Sequence, residues 1–295
     1  MGKPVADISV AIPTVRPKFI PVVLRAFELG DVLPAEVLLV SNEVEAGSLR
    51  TYEFPVRILQ FSSDTYGYGV RDIALRRNIG VWDCKSPSVL CFDDDEVPTR
   101  ELVGQVAELL KTEAYVWGHH RIVDFDEPTS EQEAEALIAK LQSMPAEAGR
   151  SRECAANRVH LYMSGYGGLF ACNVALLKAL GGFDMVHNCA VGEDQAVARQ
   201  LARFVGGGKA GADHIFVFEP PFAWGTTKQF GLAPMKRNVC VGTHEFVRRT
   251  WAGMPMDQCT KCPLRQIPNL TVSDRIVLPF DRSAVSVWET TVRES

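Results

Sequence analysis

The stretch Val89-Leu90-Cys91-Phe92-Asp93-Asp94-Asp95-Glu96-Val97-Pro98 limits what this chain can fold into more than any other. An apolar run leads directly into four consecutive carboxylates, and a proline ends it. Short apolar runs bounded by breaker residues read as strands buried on both faces, as the inner strands of parallel sheets are. The acids then emerge at the carboxyl end of the strand, where open α/β sheets bind ligands. Adjacent carboxylates repel one another, so a cation is expected among them. Hard divalent ions such as Mg²⁺ and Mn²⁺ take oxygen ligands, usually one or two carboxylates plus phosphate oxygens. The stretch therefore points to a metal–phosphate site, against the plainer alternative of a solvated acidic turn.

The preceding sequence supplies neighbours for that strand. Ile8-Ser9-Val10-Ala11-Ile12, Glu36-Val37-Leu38-Leu39-Val40 and Val56-Arg57-Ile58-Leu59-Gln60-Phe61 each read as strands. Between them lie a helical pattern carrying Phe19, Val23 and Phe27, which Gly30 stops, and a helix holding Ile73, Ala74, Arg77 and Asn78. Strand alternating with helix implies right-handed crossovers and a parallel sheet. The strand ends then bring Thr14, Asn42, Asp64 and Asp93 toward one crevice, as a nucleotide pocket requires.

Later elements are less regular. Leu102, Val106, Leu109 and Leu110 mark a helix, and Ala114-Tyr115-Val116-Trp117-Gly118 begins a strand. Ser130-Glu131-Gln132-Glu133 fits a capping box. The polar segment 144–157 reads as a loop. Asn173 is placed to cap a helix through Leu180 that Gly181-Gly182 ends, and Gly192-Glu193-Asp194 opens another helix. His214-Ile215-Phe216-Val217-Phe218 is a strand, His244–Trp251 a short helix, and Arg275-Ile276-Val277-Leu278 a last strand-like run before a polar tail.

Composition bounds the class. The chain has 295 residues, 46% hydrophobic and 23% charged, as an ordinary globular enzyme does. A formal net charge of −5 offers no basic patch for nucleic acid. No apolar run is long enough to span a membrane, and the start of the chain lacks the apolar core of a signal peptide. Eight scattered cysteines read as reduced thiols. A cytoplasmic location is the expectation.

Two enzyme classes place acids at the end of such a strand. Asp93-Asp94-Asp95-Glu96-Val97 satisfies the first motif of haloacid-dehalogenase-like phosphatases, with Asp93 and Asp95 as its acids, but that motif normally lies on the first strand. The broader resemblance is to family 2 nucleotide-sugar glycosyltransferases. Ile8-Ser9-Val10-Ala11-Ile12-Pro13-Thr14 resembles their opening strand, Arg77-Asn78-Ile79-Gly80 their Arg-Asn-x-Gly helix, and Phe92-Asp93-Asp94-Asp95 their Asp-x-Asp strand end. Gly167-Gly168-Leu169-Phe170 through Gly181-Gly182-Phe183-Asp184 resembles their acceptor-side segment, and Gly192-Glu193-Asp194-Gln195 their Glu-Asp motif. The five stand in the family's order over residues 8–204. The chain departs from the family at Ser41-Asn42-Glu43, where an aspartate pair is common, and at Val15-Arg16, where Tyr-Asn is frequent.

The resemblance implies a GT-A-type α/β fold: a mostly parallel Rossmann-like sheet flanked by helices, with a mixed acceptor-side half. The implied domain is residues 1–235, the nucleotide-binding half being about 1–100 and the acceptor half about 101–235. Residues 236–295 are then an extension packed on it. The implied activity is inverting, divalent-metal-dependent transfer of a sugar from a nucleotide-diphosphate sugar to an acceptor hydroxyl. Mn²⁺ or Mg²⁺ is the cofactor. Donor binding falls to Pro13, Thr14, Arg16, Asn42, Asp64, Arg71, Arg77, Asn78, Asp93 and Asp94. Asp95 and Asp93 are the metal residues, Asp95 the direct ligand, with His244 as a later ligand. Asp194 is the base and Glu193 its partner; Gly167, Gly168 and Trp224 line the acceptor side. A non-catalytic nucleotide-sugar binder is the reading outside enzymes.

Other residues stay open. His119 and His120 share a strand and point to opposite faces. Cys259 and Cys262, with Cys240 and His244, either form a zinc set or are unpaired thiols in a loop.

Overall fold

The computed structural model describes residues 2–63, 72–123, 125, 128–145, 150–151, 169–185, 193–194, 197, 200–201, 216–219 and 280–292. Four strands carry the first third of the chain: β1 (Val5–Pro13), β2 (Leu33–Val40), β3 (Val56–Ser62) and β4 (Ser88–Phe92). β1 pairs in parallel with both β2 and β4, and β2 in parallel with β3. The strand with the acids is thus fourth in sequence but lies beside the first.

Three further strands complete this sheet: β6 (Tyr115–Trp117), β9 (Leu169–Asn173) and β11 (Ser286–Thr291). The seven-stranded order is β11-β3-β2-β1-β4-β9-β6, with β9 antiparallel to β4 and β11 antiparallel to β3. A second, four-stranded sheet runs β5-β10-β7-β8, from β5 (Val97–Pro98), β10 (Phe216–Glu219), β7 (His119–Ile122) and β8 (Arg150–Ser151). The expected fold class is borne out: a large sheet, parallel in its centre, flanked by helices, with a mixed second half.

Helices cover both faces of the large sheet, which explains why its inner strands are apolar without alternating. On one side α1 (Ile20–Glu28), α3 (Leu102–Leu109) and α4 (Glu131–Gln142) bury Val10, Ile12, Leu39, Ile58, Leu90 and Phe92. On the other, α2 (Ile73–Asp83) and α5 (Val174–Ala179) cover Ala11, Leu38, Val40, Leu59, Val89 and Cys91. The alternation of β1 shows in the clusters: Val10 and Ile12 belong to one, Ala11 to the other. α2 lies very close to β1, because a Cβ at Gly80 would sit 2.7 Å from the Cβ of Ala11.

The expected caps are present. Asn173 Oδ1 accepts from the N–H of Leu176 at 3.1 Å, and Ser130 Oγ accepts from that of Glu133 at 3.2 Å. The box differs in one bond: Glu133 reaches back to the N–H and hydroxyl of Thr129, both at 2.8 Å.

Two elements depart from expectation, the first being β8, which lies within the segment 144–157 read as a loop. The polar tail contains β11, which closes the β3 edge; the run 275–278 lies outside the described residues. β11 is an edge strand that the sequence pattern hides. Ser286, Glu289, Thr290 and Thr291 face solvent, and Trp288 is 47% exposed while its indole donates to Gln60 Oε1 at 2.9 Å. Among the described residues no helix is long and apolar enough to cross a membrane.

Candidate active site

The carboxyl ends of β1, β2 and β4 meet in one place, and the acids after β4 differ in surroundings. Asp94 is 1% exposed and tied to the loop after β1. Its Oδ2 accepts the N–H groups of Val15 and Arg16, each at 2.8 Å, and its Oδ1 accepts Arg16 Nε at 2.7 Å. A second guanidinium nitrogen of Arg16 also bonds Asp94, and a third pairs with Asp95 Oδ2. Asp95 is 3% exposed, so two buried carboxylates share one guanidinium. That proximity raises the Arg16 pKa although burial opposes it, and Arg16 stays charged.

Asp93, the most exposed of the three aspartates, faces a different arginine. Arg77 Nη2 donates to Asp93 Oδ1 at 2.8 Å, and Arg77 Nε lies 3.5 Å from Glu193 Oε1. Arg77 is buried, its guanidinium 5.6 Å from the ring of Phe183, and Asp93 and Glu193 hold its pKa up against burial. One guanidinium therefore joins the acid after β4 to the Glu-Asp pair a hundred residues later. Burial beside Asp194 pushes the Glu193 carboxyl up, to about 7, with Arg77 pulling the other way. Residues 193 and 194 are helical, and Asp194 is half-buried.

Asn78, expected at the donor, is completely buried and committed elsewhere. Its Oδ1 accepts the N–H of Phe183 at 2.8 Å, and its Nδ2 donates to the carbonyl of Phe183 at 2.8 Å. This clamp holds the segment after α5 against α2. Gly182 makes it possible: φ is +76°, and a Cβ there would lie 2.2 Å from Asn78 Oδ1. Asn42 makes a similar clamp at the ends of β2 and β3, where its amide accepts from the N–H of Phe61 at 2.9 Å and donates to its carbonyl at 3.0 Å.

Thr14 and Pro13 are buried at the end of β1. The Thr14 carbonyl accepts from Ser41 Oγ at 3.0 Å and from Arg76 Nη1 at 2.6 Å. Arg76 also holds Glu43, at 2.8 and 2.9 Å, which lowers the Glu43 pKa with the help of Ser41 and against burial. Arg76, Ser41 and Glu43 carry no motif, and sequence reasoning misses their joint role. The available signal is that two adjacent arginines on α2 follow two strand ends that each carry an acid, Glu43 and Asp64.

Behind the acids, Glu96 and His120 are both buried, with Oε1 and Nδ1 2.7 Å apart. His119 is buried as well. Cys91 and Cys172 lie in the sheet core, where burial pushes both thiols up to about 12, so neither is a reactive thiolate. Asp64, Arg71, Gly167, Gly168, Trp224 and His244 lie outside the described residues, as do His214, Cys240, Cys259 and Cys262.

Asp93 and Asp95 offer the hard oxygens that Mg²⁺ or Mn²⁺ prefers, and two carboxylates suit an ion whose remaining ligands are phosphate oxygens and water. No group of three or more His, Cys, Asp or Glu is arranged for a metal among the described residues.

No protein-family model matches this chain, and no curated protein matches it in sequence. Among solved structures, S. aureus TarS 1-349 aligns over 72% of this chain and 60% of its own, with 12% identity and a TM-score of 0.46. The same TarS fragment in complex with UDP-GlcNAc aligns over 75% and 58%, with 13% identity and a TM-score of 0.45. The mannosyltransferase PcManGT from Pyrobaculum calidifontis, in complex with GDP-Man and Mn²⁺, aligns over 72% and 56%, with 16% identity and a TM-score of 0.43. The match spans less than two thirds of each of these chains.

Proposed function

We propose that the chain is a glycosyltransferase that moves a sugar from a nucleotide-diphosphate donor to an acceptor hydroxyl, with inversion. The single observation that carries this reading is the Arg77 bridge. Around one buried guanidinium it gathers Asp93, from the strand-end acids, and Glu193, from the Glu-Asp pair. A transferase needs both kinds of carboxylate within one site, one toward the donor phosphates and one toward the acceptor.

On this reading the sheet half, about residues 1–100, binds the donor, and residues 101–235 bind the acceptor, with 236–295 packed on them. Pro13, Thr14 and Arg16 shape the crevice at the end of β1, and Asp93 lies at the ribose or phosphate side. Asp93 and Asp95 would hold Mn²⁺ or Mg²⁺, which would supply positive charge to the departing diphosphate. Asp194 takes the proton from the attacking hydroxyl. Its half-buried position keeps it within reach of an acceptor, whereas Glu193 is buried on Arg77 and orients the pair. The approach of base and acceptor from the side opposite the leaving group gives inversion in a single displacement. Asp64, Arg71, Gly167, Gly168, Trp224 and His244 keep their proposed roles around this centre.

The test is thermal stabilisation by a panel of nucleoside diphosphates with and without Mn²⁺. A metal-dependent rise in melting temperature is expected for at least one. A flat response to the whole panel removes the reading. Asp194→Asn is expected to keep donor binding and lose transfer; donor binding lost with transfer retained moves the base elsewhere.

A further inference from the structure

The three aspartates after β4 do not share one task. We propose that Asp94 is a positioning residue, an internal anion that fixes the loop after β1 in the form the donor meets, and that it touches neither donor nor metal. The inference rests on the transferase reading above for the donor, but the anchor itself is a property of the chain alone.

The Asp94 carboxylate is fully engaged within the chain. An ionised carboxylate offers about four lone pairs. The N–H groups of Val15 and Arg16 take Oδ2, each at 2.8 Å, while Arg16 Nε at 2.7 Å and a terminal nitrogen of the same guanidinium take Oδ1. Donors and lone pairs are thus matched, on a residue that is buried. A donor hydroxyl or a metal ion reaching Asp94 would have to displace one of these groups and leave it without its acceptor, which is costly. The same bonds hold the loop. Thr14 is tied to the end of β2 and to α2: its N–H donates to the Val40 carbonyl at 3.1 Å, and its carbonyl accepts from Ser41 Oγ and Arg76 Nη1. The next two N–H groups are tied to Asp94, 79 and 78 positions later, and the 3₁₀ turn Pro17–Phe19 then leads into α1. Successive backbone N–H groups that converge on one point bind anions. Here that anion is built into the chain, so the loop has its shape before any diphosphate arrives.

A merely structural acid, once removed, lowers the melting temperature and leaves donor affinity of the folded chain as it was. A positioning acid changes donor affinity as well. Asp94→Ala in the full chain, titrated by calorimetry with nucleoside diphosphate and Mn²⁺ at a temperature where it is folded, is expected to bind about tenfold more weakly than the wild type. Formate, which supplies the deleted carboxylate, is expected to return that affinity to near the wild-type value and to leave the wild type unchanged. Chloride at the same ionic strength is expected to do neither. A loss that formate does not recover overturns the proposal.

The wild type supplies a second measurement, which stands even if Asp94→Ala does not fold. Hydrogen exchange of the Val15 and Arg16 amides, followed by nuclear magnetic resonance, is expected to be slow in the free chain. It is expected to stay slow with Mg²⁺ and nucleoside diphosphate bound. Faster exchange on binding means that Asp94 has left the loop for the ligand, and overturns the proposal. The two readings fail separately. Nucleotide bound equally well by wild type and Asp94→Ala without formate removes the positioning role and leaves the transferase reading. No nucleotide bound by the wild type, with formate still raising the melting temperature of Asp94→Ala, removes the transferase reading and leaves the anchor.

Discussion

Asn78 grips Phe183 by both ends of its amide, taking the N–H and giving to the carbonyl, each at 2.8 Å. The two residues are 105 positions apart, and the grip fixes the segment after α5 against α2. Arg77 is the next residue along α2, and its guanidinium lies over the Phe183 ring. The clamp therefore holds together the same two parts of the chain that Arg77 joins through Asp93 and Glu193.

Loss of the clamp should be costly. Gly182→Ala forces a Cβ into Asn78 Oδ1 at a residue whose φ is +76°. It is expected to destabilise the protein by roughly 2–4 kcal/mol, read from urea unfolding. Asn78→Ala leaves the Phe183 backbone groups unpaired and is expected to cost about 2–3 kcal/mol. A change under about 0.5 kcal/mol in both variants would mean the clamp is not formed in solution.

Arg77→Gln takes this cation from buried Glu193 and half-buried Asp93. The expected loss is about 3–5 kcal/mol at neutral pH, in the range for breaking one side of a buried pair. Arg77→Lys keeps the charge but not the fork, so it should fall between wild type and Gln. Equal stability of all three chains in urea would dismiss the bridge.

The Glu193 carboxyl gives stability a pH dependence of unusual sign. Its folded pKa is raised, to about 7, above the ordinary carboxylate value of 4.5. Between those values the folded state holds more protons than the unfolded state, so this group's contribution falls as pH rises and levels off above about 7. Glu193→Gln mimics the protonated form and should show no such fall. Its stability relative to wild type is expected to improve by roughly 2–3 kcal/mol from pH 4.5 to pH 7.5. Parallel pH profiles for the two chains would place the Glu193 pKa back in the ordinary range.

Cations at the amino-terminal end of the sheet offer a control away from the crevice. Arg57 Nη1 donates to Glu36 Oε2 at 2.8 Å, and Glu36 Oε1 also accepts from Ser9 Oγ and the Lys85 N–H. Arg57→Ala should destabilise the fold by about 3 kcal/mol. Mn²⁺ and nucleotide affinity in the folded fraction should stay at wild-type values, as titration at low temperature can check.

The parts of this architecture that follow from local pattern are legible in the sequence. Apolar runs ending in polar residues mark β1 to β4, and Asn173 and Ser130 announce their helices because a cap is decided within a turn. The Arg16–Asp94 contact spans 78 positions and depends on how the loop after β1 turns, which no local pattern encodes. Asn78 illustrates a different limit. A motif gives a residue's place on a helix but not the partner its amide meets, and here the partner is a backbone. β11 is hidden because residues on both of its faces are exposed, Val287 alone being half-buried, so no apolar alternation marks it. The joint work of Arg76, Ser41 and Glu43 is equally silent in sequence, being built from residue types that are ordinarily solvated.

The β3–β11 pairing has a consequence for the birth of the protein. Arg57 meets Glu289 across that ladder, 232 positions later in the chain. At about 5–20 residues per second, a ribosome presents the outer rim of β3 roughly 10–50 seconds before its cover exists. For that interval a nascent chain carries an unsatisfied row of backbone donors and acceptors, the kind of rim that recruits other strands. Yield during synthesis should therefore depend on chaperone supply and translation speed far more than the finished protein's stability would suggest.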